Sequence, residues 1–303
     1  MITHSPELFL DALAQLPAVR SPAVPEAVFL VLPERFSVNP ESAVDNAYMD
    51  LRSAVDSDRA RAQAEALAAL LRSRGLRVVT FEGRADTPDD VFPNNVFATA
   101  PGRLVVGRMR HAGRRPEAGR EDIRGWFRKR GRALHDLSKR DLVAELTGAM
   151  VIDRARGVGF CGMTERVDEA GLEAMHRAFG LRLTFAFELA PGEYHANVVL
   201  SVLAGRACLL HRPAFVDPRA AAAVEAAFPG RALAIDADEK NAFVGNCIAL
   251  TERDLFLSDT ARAALRPDHR ETLEGWGFRL HSTALDEIEK AGGSLRCMVA
   301  EIF

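Results

Sequence analysis

The chain has 303 residues, 48% hydrophobic and 27% charged, with 39 Lys and Arg against 42 Asp and Glu for a net charge of −3. That is the composition of a globular protein with ample apolar side chains for a core, and it gives no bulk attraction to nucleic acid or to a membrane surface. No window approaches the roughly 20 apolar residues that a membrane span requires.

Met1 to Arg20 mixes Asp and Glu with apolar residues, without the charged start and apolar run of a secretory signal. Residues 1–24 read as an N-terminal extension. Ala27–Pro33 (AVFLVLP) is the first strand. Asp58–Gly75, rich in Ala, Leu and Arg, predicts a helix with Gly75 at its C-terminal end, and Leu76–Phe81 a strand. Asn95–Met109 reads as two apolar strands around Pro101-Gly102. The arginines from Arg103 to Arg132 are interrupted by Glu117, Glu121 and Asp122, which predicts a solvated helical face.

Three more units follow. The hairpin Ala149–Arg166 leads to helix Asp168–Gly180 and strand Leu181–Phe187. The hairpin Asn197–Phe215 leads to helix Arg219–Phe228 and strand Arg231–Asp236. The hairpin Asn246–Arg262 leads to helix Asp268–Gly277 and strand Phe278–Ser282. A last strand starts at Met298. Starts at Val96, Ala149, Asn197, Asn246 and Met298 are 53, 48, 49 and 52 residues apart, a fixed period that marks a propeller or array. The last unit has one strand too few, and Ala27–Pro33 supplies its partner. The fold expected is a five-bladed α/β propeller of strand–strand–helix–strand units, a single domain over 1–303. Pairing of the first and last strands closes it and removes exposed edges.

In such a ring the hairpin starts converge on the axis, and polar groups stand there: Asp89 to Asn95, Glu145, His195 and Cys297. Cys297 follows Gly292, Gly293 and Arg296; the glycines let backbone approach a ligand, and the cation favours a reactive thiolate. Cys161, Cys208 and Cys247 are widely spaced and read as buried apolar thiols. No CxxC pair suggests zinc or a disulfide, and reduced thiols suit a cytoplasmic enzyme. His195, two residues before Asn197, stands as a proton shuttle on the same strand face. Asp89, Asp90, Asn94 and Asn95 crowd into PDDVFPNN, where a carboxylate can pair bidentately with a guanidinium.

PDDVFPNN, ELTGAMVIDR, YHANVVLSV and GGSLRCMVAEIF, in that order, resemble the guanidino-group-modifying superfamily. It includes arginine deiminases, dimethylarginine dimethylaminohydrolases, amidinotransferases and citrulline-hydrolysing relatives. PERFSVNPESAVDN looks like the opening of its bacterial amidinotransferase-related branch. The resemblance runs from about Ala27 to Phe303 and implies the five-bladed propeller and a cysteine hydrolase. Cys297 then matches the nucleophile and His195 the general acid/base, with Glu145 the acidic residue beside them. Asp89 matches a residue near the substrate head, and Arg108 and Arg166 match arginines that hold a substrate carboxylate. Asn94, Asn95 and Asn197 stand where relatives have carboxylates or follow them closely. Amides suit a neutral ureido group, so citrulline is favoured over arginine or methylarginine. The partner implied is a small amino-acid substrate, with no cofactor, metal, nucleic acid or membrane. A homodimer is the alternative to a monomer. An amidinotransferase and a non-catalytic amino-acid-binding protein are the other readings.

Overall fold

A computed structural model of the chain describes residues 1–17 and 21–303, so the last residues of the Met1 to Arg20 stretch lie outside the described residues. Five separate sheets are present, each with the same core of an antiparallel hairpin followed by a parallel third strand. Phe97–Ala100 pairs with Arg103–Val106, which pairs with Ala133–Asp136. Met150–Asp153 pairs with Val158–Met163 and that with Leu183–Glu188. Leu200–Leu203, Ala207–Leu210 and Ala232–Ala234 form the next sheet, and Ile248–Ala249, Asp254–Ser258 and Arg279–Thr283 the one after it. In the fifth, Ala300–Ile302 is antiparallel to Ala27–Leu32, which is parallel to Val78–Glu82. The first and last strands of the periodic pattern thus share a sheet, as their apolar composition required.

The parallel third strand needs a crossover, and helices supply it. Ser57–Ser73 starts at the cap Asp56, whose side chain accepts from the Arg59 N–H, and Gly75 follows its end at φ +82°. Glu169–Phe179 is capped by Asp168 and ended by left-handed Gly180. Each crossover helix packs an apolar face on its sheet. Leu67 and Leu71 share a buried cluster with Val28 and Leu30 of their own sheet and Phe256 of a neighbouring one, and Leu172 and Met175 share one with Met150 and Cys161. Gly171 is required here, because a Cβ would fall 1.8 Å from the Val143 carbonyl oxygen.

The N-terminal stretch packs on the fold: Ile2–Thr3 extends the Leu183–Glu188 edge in parallel, and the helix Pro6–Ala14 buries Phe9 against Phe160 and Phe185. One sequence expectation is corrected. The arginine-rich stretch is not wholly a solvated face. Arg114 and Arg120 are 4% and 2% exposed, because acids three residues on or across the loop neutralise them. Among the described residues, no helix is long and apolar enough to cross a membrane.

Phe29 is fully buried and its ring meets Phe81, Phe97 and Phe127 edge-on, joining the closing sheet to its neighbour. Phe29→Ala is expected to lower unfolding free energy by about 3–5 kcal/mol. A urea titration showing less than about 1 kcal/mol would deny this contact its role.

Candidate active site

Each hairpin is entered through a short helical turn: Pro93–Asn95, Leu146–Ala149, Ala196–Val199, Val244–Asn246 and Leu295–Met298. Each turn touches the next in chain order, and the last touches the first. A single turn has its backbone N–H groups free at one end and its side chains fanned outward. Residues from five distant stretches therefore meet over a small area. His195 accordingly stands ahead of a helical turn, not on a strand, and the shared strand face expected for His195 and Asn197 is corrected. Two non-glycine residues at these turns have positive φ, Leu146 at 23° and Phe243 at 63°. Such strain, on the order of 1–3 kcal/mol each, is held by the surrounding structure, and it aims Glu145 and Asn246.

Glu145 is fully buried. Its carboxylate accepts from His195 Nε2 at 2.9 Å, from Arg166 Nη1 at 3.2 Å and from the Arg110 N–H at 3.0 Å. Burial alone would raise its pKa, but Arg166 and His195 outweigh that and hold the carboxyl well below its usual range. Since Nε2 donates to Glu145, the free lone pair of His195 lies on Nδ1, which is buried without a partner. Burial also lowers the His195 pKa, so the ring is neutral at physiological pH. Gly148 leaves room for this ring: a Cβ there would lie 2.8 Å from His195 Nδ1 and 2.6 Å from Asn95 Oδ1.

Cys297 is 1% exposed. Its Sγ lies 3.4 Å from Asn246 Nδ2 and 3.8 Å from Asn197 Oδ1. The Asn246 orientation is fixed by its other bonds, since Oδ1 accepts from the Arg296 N–H and Nδ2 also donates to the Asn197 carbonyl. Asn246 therefore acts on the sulfur only as a donor, which favours thiolate. Burial wins nonetheless and pushes the thiol pKa up, against Asn246 and the nearby Arg296. Arg296 itself turns to Glu301 at 3.0 Å. The glycine pair serves the protein's own packing: a Cβ on Gly292 would strike Asn46 at 2.5 Å, and one on Gly293 the Phe92 ring at 2.9 Å.

The cavity at Cys297, about 20 Å³, is lined by Asp89, Asn95, Arg114, Arg166 and Tyr194 among others. Asp89 accepts from Asn39 at 3.0 Å and Ser42 at 3.4 Å and lies 3.9 Å from Arg114 Nε. Asp90 turns away to Thr87 and Arg120. Arg166 is wholly engaged: Nε and Nη2 meet Asp45 at 2.7 and 2.6 Å, and Nη1 meets Glu145. Arg108 is half-buried, donates to the Ser138 carbonyl at 3.1 Å and lies outside the cavity lining. Asn94 is buried with both amide atoms unpartnered, as are Asn95 Oδ1 and Asn197 Nδ2. Residues 39–50 cross the top through Asn39, Ser42 and Asp45 and bridge Met49 to Ala291.

Sequence reasoning missed Asn246, Arg114, Tyr194 and Asp45. Asn246 had a signal, because it starts the fourth hairpin where its counterparts carry the other polar groups. Arg114 and Asp45 had none, since both belong to 3-10 segments, Ala112–Gly119 and Ser42–Val44 with its cap, that lie outside the repeating strand pattern. Arg114 forms a buried bidentate pair with Glu117 at 2.8 Å and also donates to the Asp89 and Phe92 carbonyls. Tyr194 donates to the Gly292 carbonyl at 2.6 Å, fixing the approach to Cys297. Among the described residues, no group of three His, Cys, Asp or Glu side chains is arranged to hold a metal ion.

The bifunctional arginine dihydrolase/ornithine cyclodeaminase ArgZ of Synechocystis sp. is 26% identical over 220 residues, 71% of this chain and 29% of that protein. This chain therefore spans under a third of that relative. The crystal structure of apo ArgZ, described as an arginine dihydrolase from the ornithine–ammonia cycle in cyanobacteria, matches with a TM-score of 0.80 at 21% identity. It covers 91% of this chain and 40% of that one. A dimethylarginine dimethylaminohydrolase variant, solved as its adduct with S-methyl-L-thiocitrulline, matches with a TM-score of 0.73 at 17% identity over 91% and 99% of the two chains. At such identities these two establish a shared α/β fold. The description N,N-dimethylarginine dimethylhydrolase, eukaryotic, matches residues 32–303. Extending over nearly the whole chain and every turn described above, that match means the chain belongs to the N,N-dimethylarginine dimethylhydrolase family.

Proposed function

We propose that this protein hydrolyses a guanidino C–N bond of arginine or a methylated arginine, with Cys297 as nucleophile and His195 as proton carrier. The observation that carries this is the charge balance at the cavity. Asp45, Asp89 and Glu145 face the two guanidinium groups of Arg114 and Arg166, which leaves one negative charge in excess, while burial pushes the carboxyl of a fourth acid, Glu117, up to about 7. A cation is the substrate head that offsets that excess. The second reading is a neutral ureido head such as citrulline, and the unpartnered amides of Asn94, Asn95 and Asn197 support it. We also read the five sheets as blades of one closed propeller domain, supported by the cycle of contacts among their entry turns.

The Cys297 thiol passes its proton to His195 Nδ1, and Sγ bonds to the guanidinium carbon. The imidazolium, steadied by Glu145, protonates the departing nitrogen, and the C–N bond breaks to leave a cationic thio-adduct and the free amine. Neutral His195 then takes a proton from water as its oxygen attacks the same carbon. The C–S bond breaks, the imidazolium returns its proton to sulfur, the product oxygen yields its remaining proton to the released amine, and a neutral ureido product leaves. A cationic substrate also offsets the desolvation that keeps the thiol protonated. We assign Arg166 to holding Glu145 and the 39–50 loop, because every guanidinium nitrogen is already bound there.

Amine release from arginine, dimethylarginine and citrulline, measured in parallel, tests the substrate class. Release from a guanidine, lost in Cys297→Ala, is expected; release from citrulline alone would overturn the charge argument. Citrulline or ornithine as final product separates one hydrolysis from two, and turnover dependent on an added amine acceptor would mark an amidinotransferase. Binding without turnover of any of them would leave an amino-acid-binding protein. Glu145→Gln is expected to cut turnover by roughly 10²–10⁴-fold while substrate still binds.

Alkylation of Cys297 by iodoacetamide should keep rising with pH past about 8.5, the range of a free thiol. Sign matters here: a raised pKa leaves less thiolate at neutral pH, so the free protein reacts slowly there. Asn246→Ala removes a donor to sulfur and should move the midpoint up by about 1–2 pH units. An unmoved midpoint in a folded variant would exclude Asn246 from stabilising thiolate.

A further inference from the structure

A second cavity of about 640 Å³ shares no lining residue with the Cys297 cavity. That volume is in the range of small-molecule sites. Its walls are apolar, built from Pro22, Val24, Pro101, Leu181, Phe179 and Phe303. Two guanidinium groups, Arg103 and Arg154, stand among them.

Arg154 lies over the Phe303 ring at 4.4 Å and the Phe179 ring at 5.5 Å. It donates one hydrogen bond, from Nη1 to the Thr99 carbonyl at 2.9 Å, while its Nε is buried without a partner. Arg103 likewise donates only to a carbonyl, that of Ala178 at 3.2 Å. Among the described residues, neither has a carboxylate within ion-pair distance. The acid nearest in effect on Arg154, Glu301, is held by Arg296 at 3.0 Å. Among the described residues Glu26 is the one acidic side chain in the lining, and Arg132 holds both it, at 2.8 Å, and the main-chain oxygen of Phe303, at 2.5 Å. Burial without compensation lowers the Arg154 pKa to about 10, the direction expected of a cation lacking a counter-ion.

We infer that this cavity binds a small organic carboxylate with an apolar body. The carboxylate would meet the planar donors of Arg154 and Arg103, and the body would fill the space between Phe179, Phe303 and the prolines. Guanidinium pairs recognise the planar carboxylate bidentately, and the apolar walls exclude a fully hydrated anion such as phosphate.

Isothermal titration of the full chain with phenylacetate, phenylacetamide and inorganic phosphate tests this. Phenylacetate is expected to bind at least about tenfold more tightly than either of the others. Arg154→Gln and, independently, Arg103→Gln should each weaken it by about tenfold or more, whereas Cys297→Ala should leave it unchanged. Arg103 is the safer variant for folding, because its side chain is less enclosed. Equal binding of the amide or of phosphate would overturn the proposal. So would unaltered binding in folded Arg103→Gln, loss of binding in Cys297→Ala, or no heat at about 10 mM phenylacetate, a concentration well above the range expected of a built site.

Discussion

The buried Glu145 carboxylate sets the terms for everything around it. An ionised carboxyl with no solvent contact is affordable only when donors surround it. Here His195, Arg166 and a backbone N–H from the preceding hairpin provide them. That arrangement fixes the His195 tautomer and leaves Nδ1 as the nitrogen without a partner. It also reaches outward, because Arg166 binds Asp45 and so ties the 39–50 loop over the site. One ion thus links the His195 ring to the loop over the cavity.

The sulfur is governed by an opposing pair of effects. Full burial disfavours thiolate, and a four-residue turn is too short to supply a useful dipole. Asn246 works against burial through a donor that its neighbours hold in place. The balance leaves a thiol mostly protonated at neutral pH, and in the proposed reaction an entering cation would favour the thiolate. The excess of carboxylates around the cavity supplies the attraction for that cation.

Much of this was legible in the sequence. A period near 50 residues, hairpins with short turns, and one strand missing at the end but present at the start are local and compositional facts. They were enough to place all five sheets and the pairing of Ala27–Leu32 with Ala300–Ile302. The polar residues at hairpin starts followed from the same periodicity, and Cys297, His195, Glu145 and Asp89 came with them. The expectation for Arg166 as a carboxylate anchor illustrates the limit: a motif match identifies an arginine, and only the neighbouring acids show that its donors are already used.

Sequence by itself therefore determined the repeating unit, its number and the chemistry-bearing side chains, because strand, turn and helix patterns are written over fewer than about 20 residues. Tertiary structure alone decided which residues meet and in what protonation state. Asp45 and Arg114 come from segments outside the repeating pattern, and Asn246 became a sulfur ligand only through contacts 50 residues away. Charge, too, was a tertiary matter. The pKa of Glu145, His195 and Cys297 depends on burial and on partners far along the chain, and no local pattern encodes either.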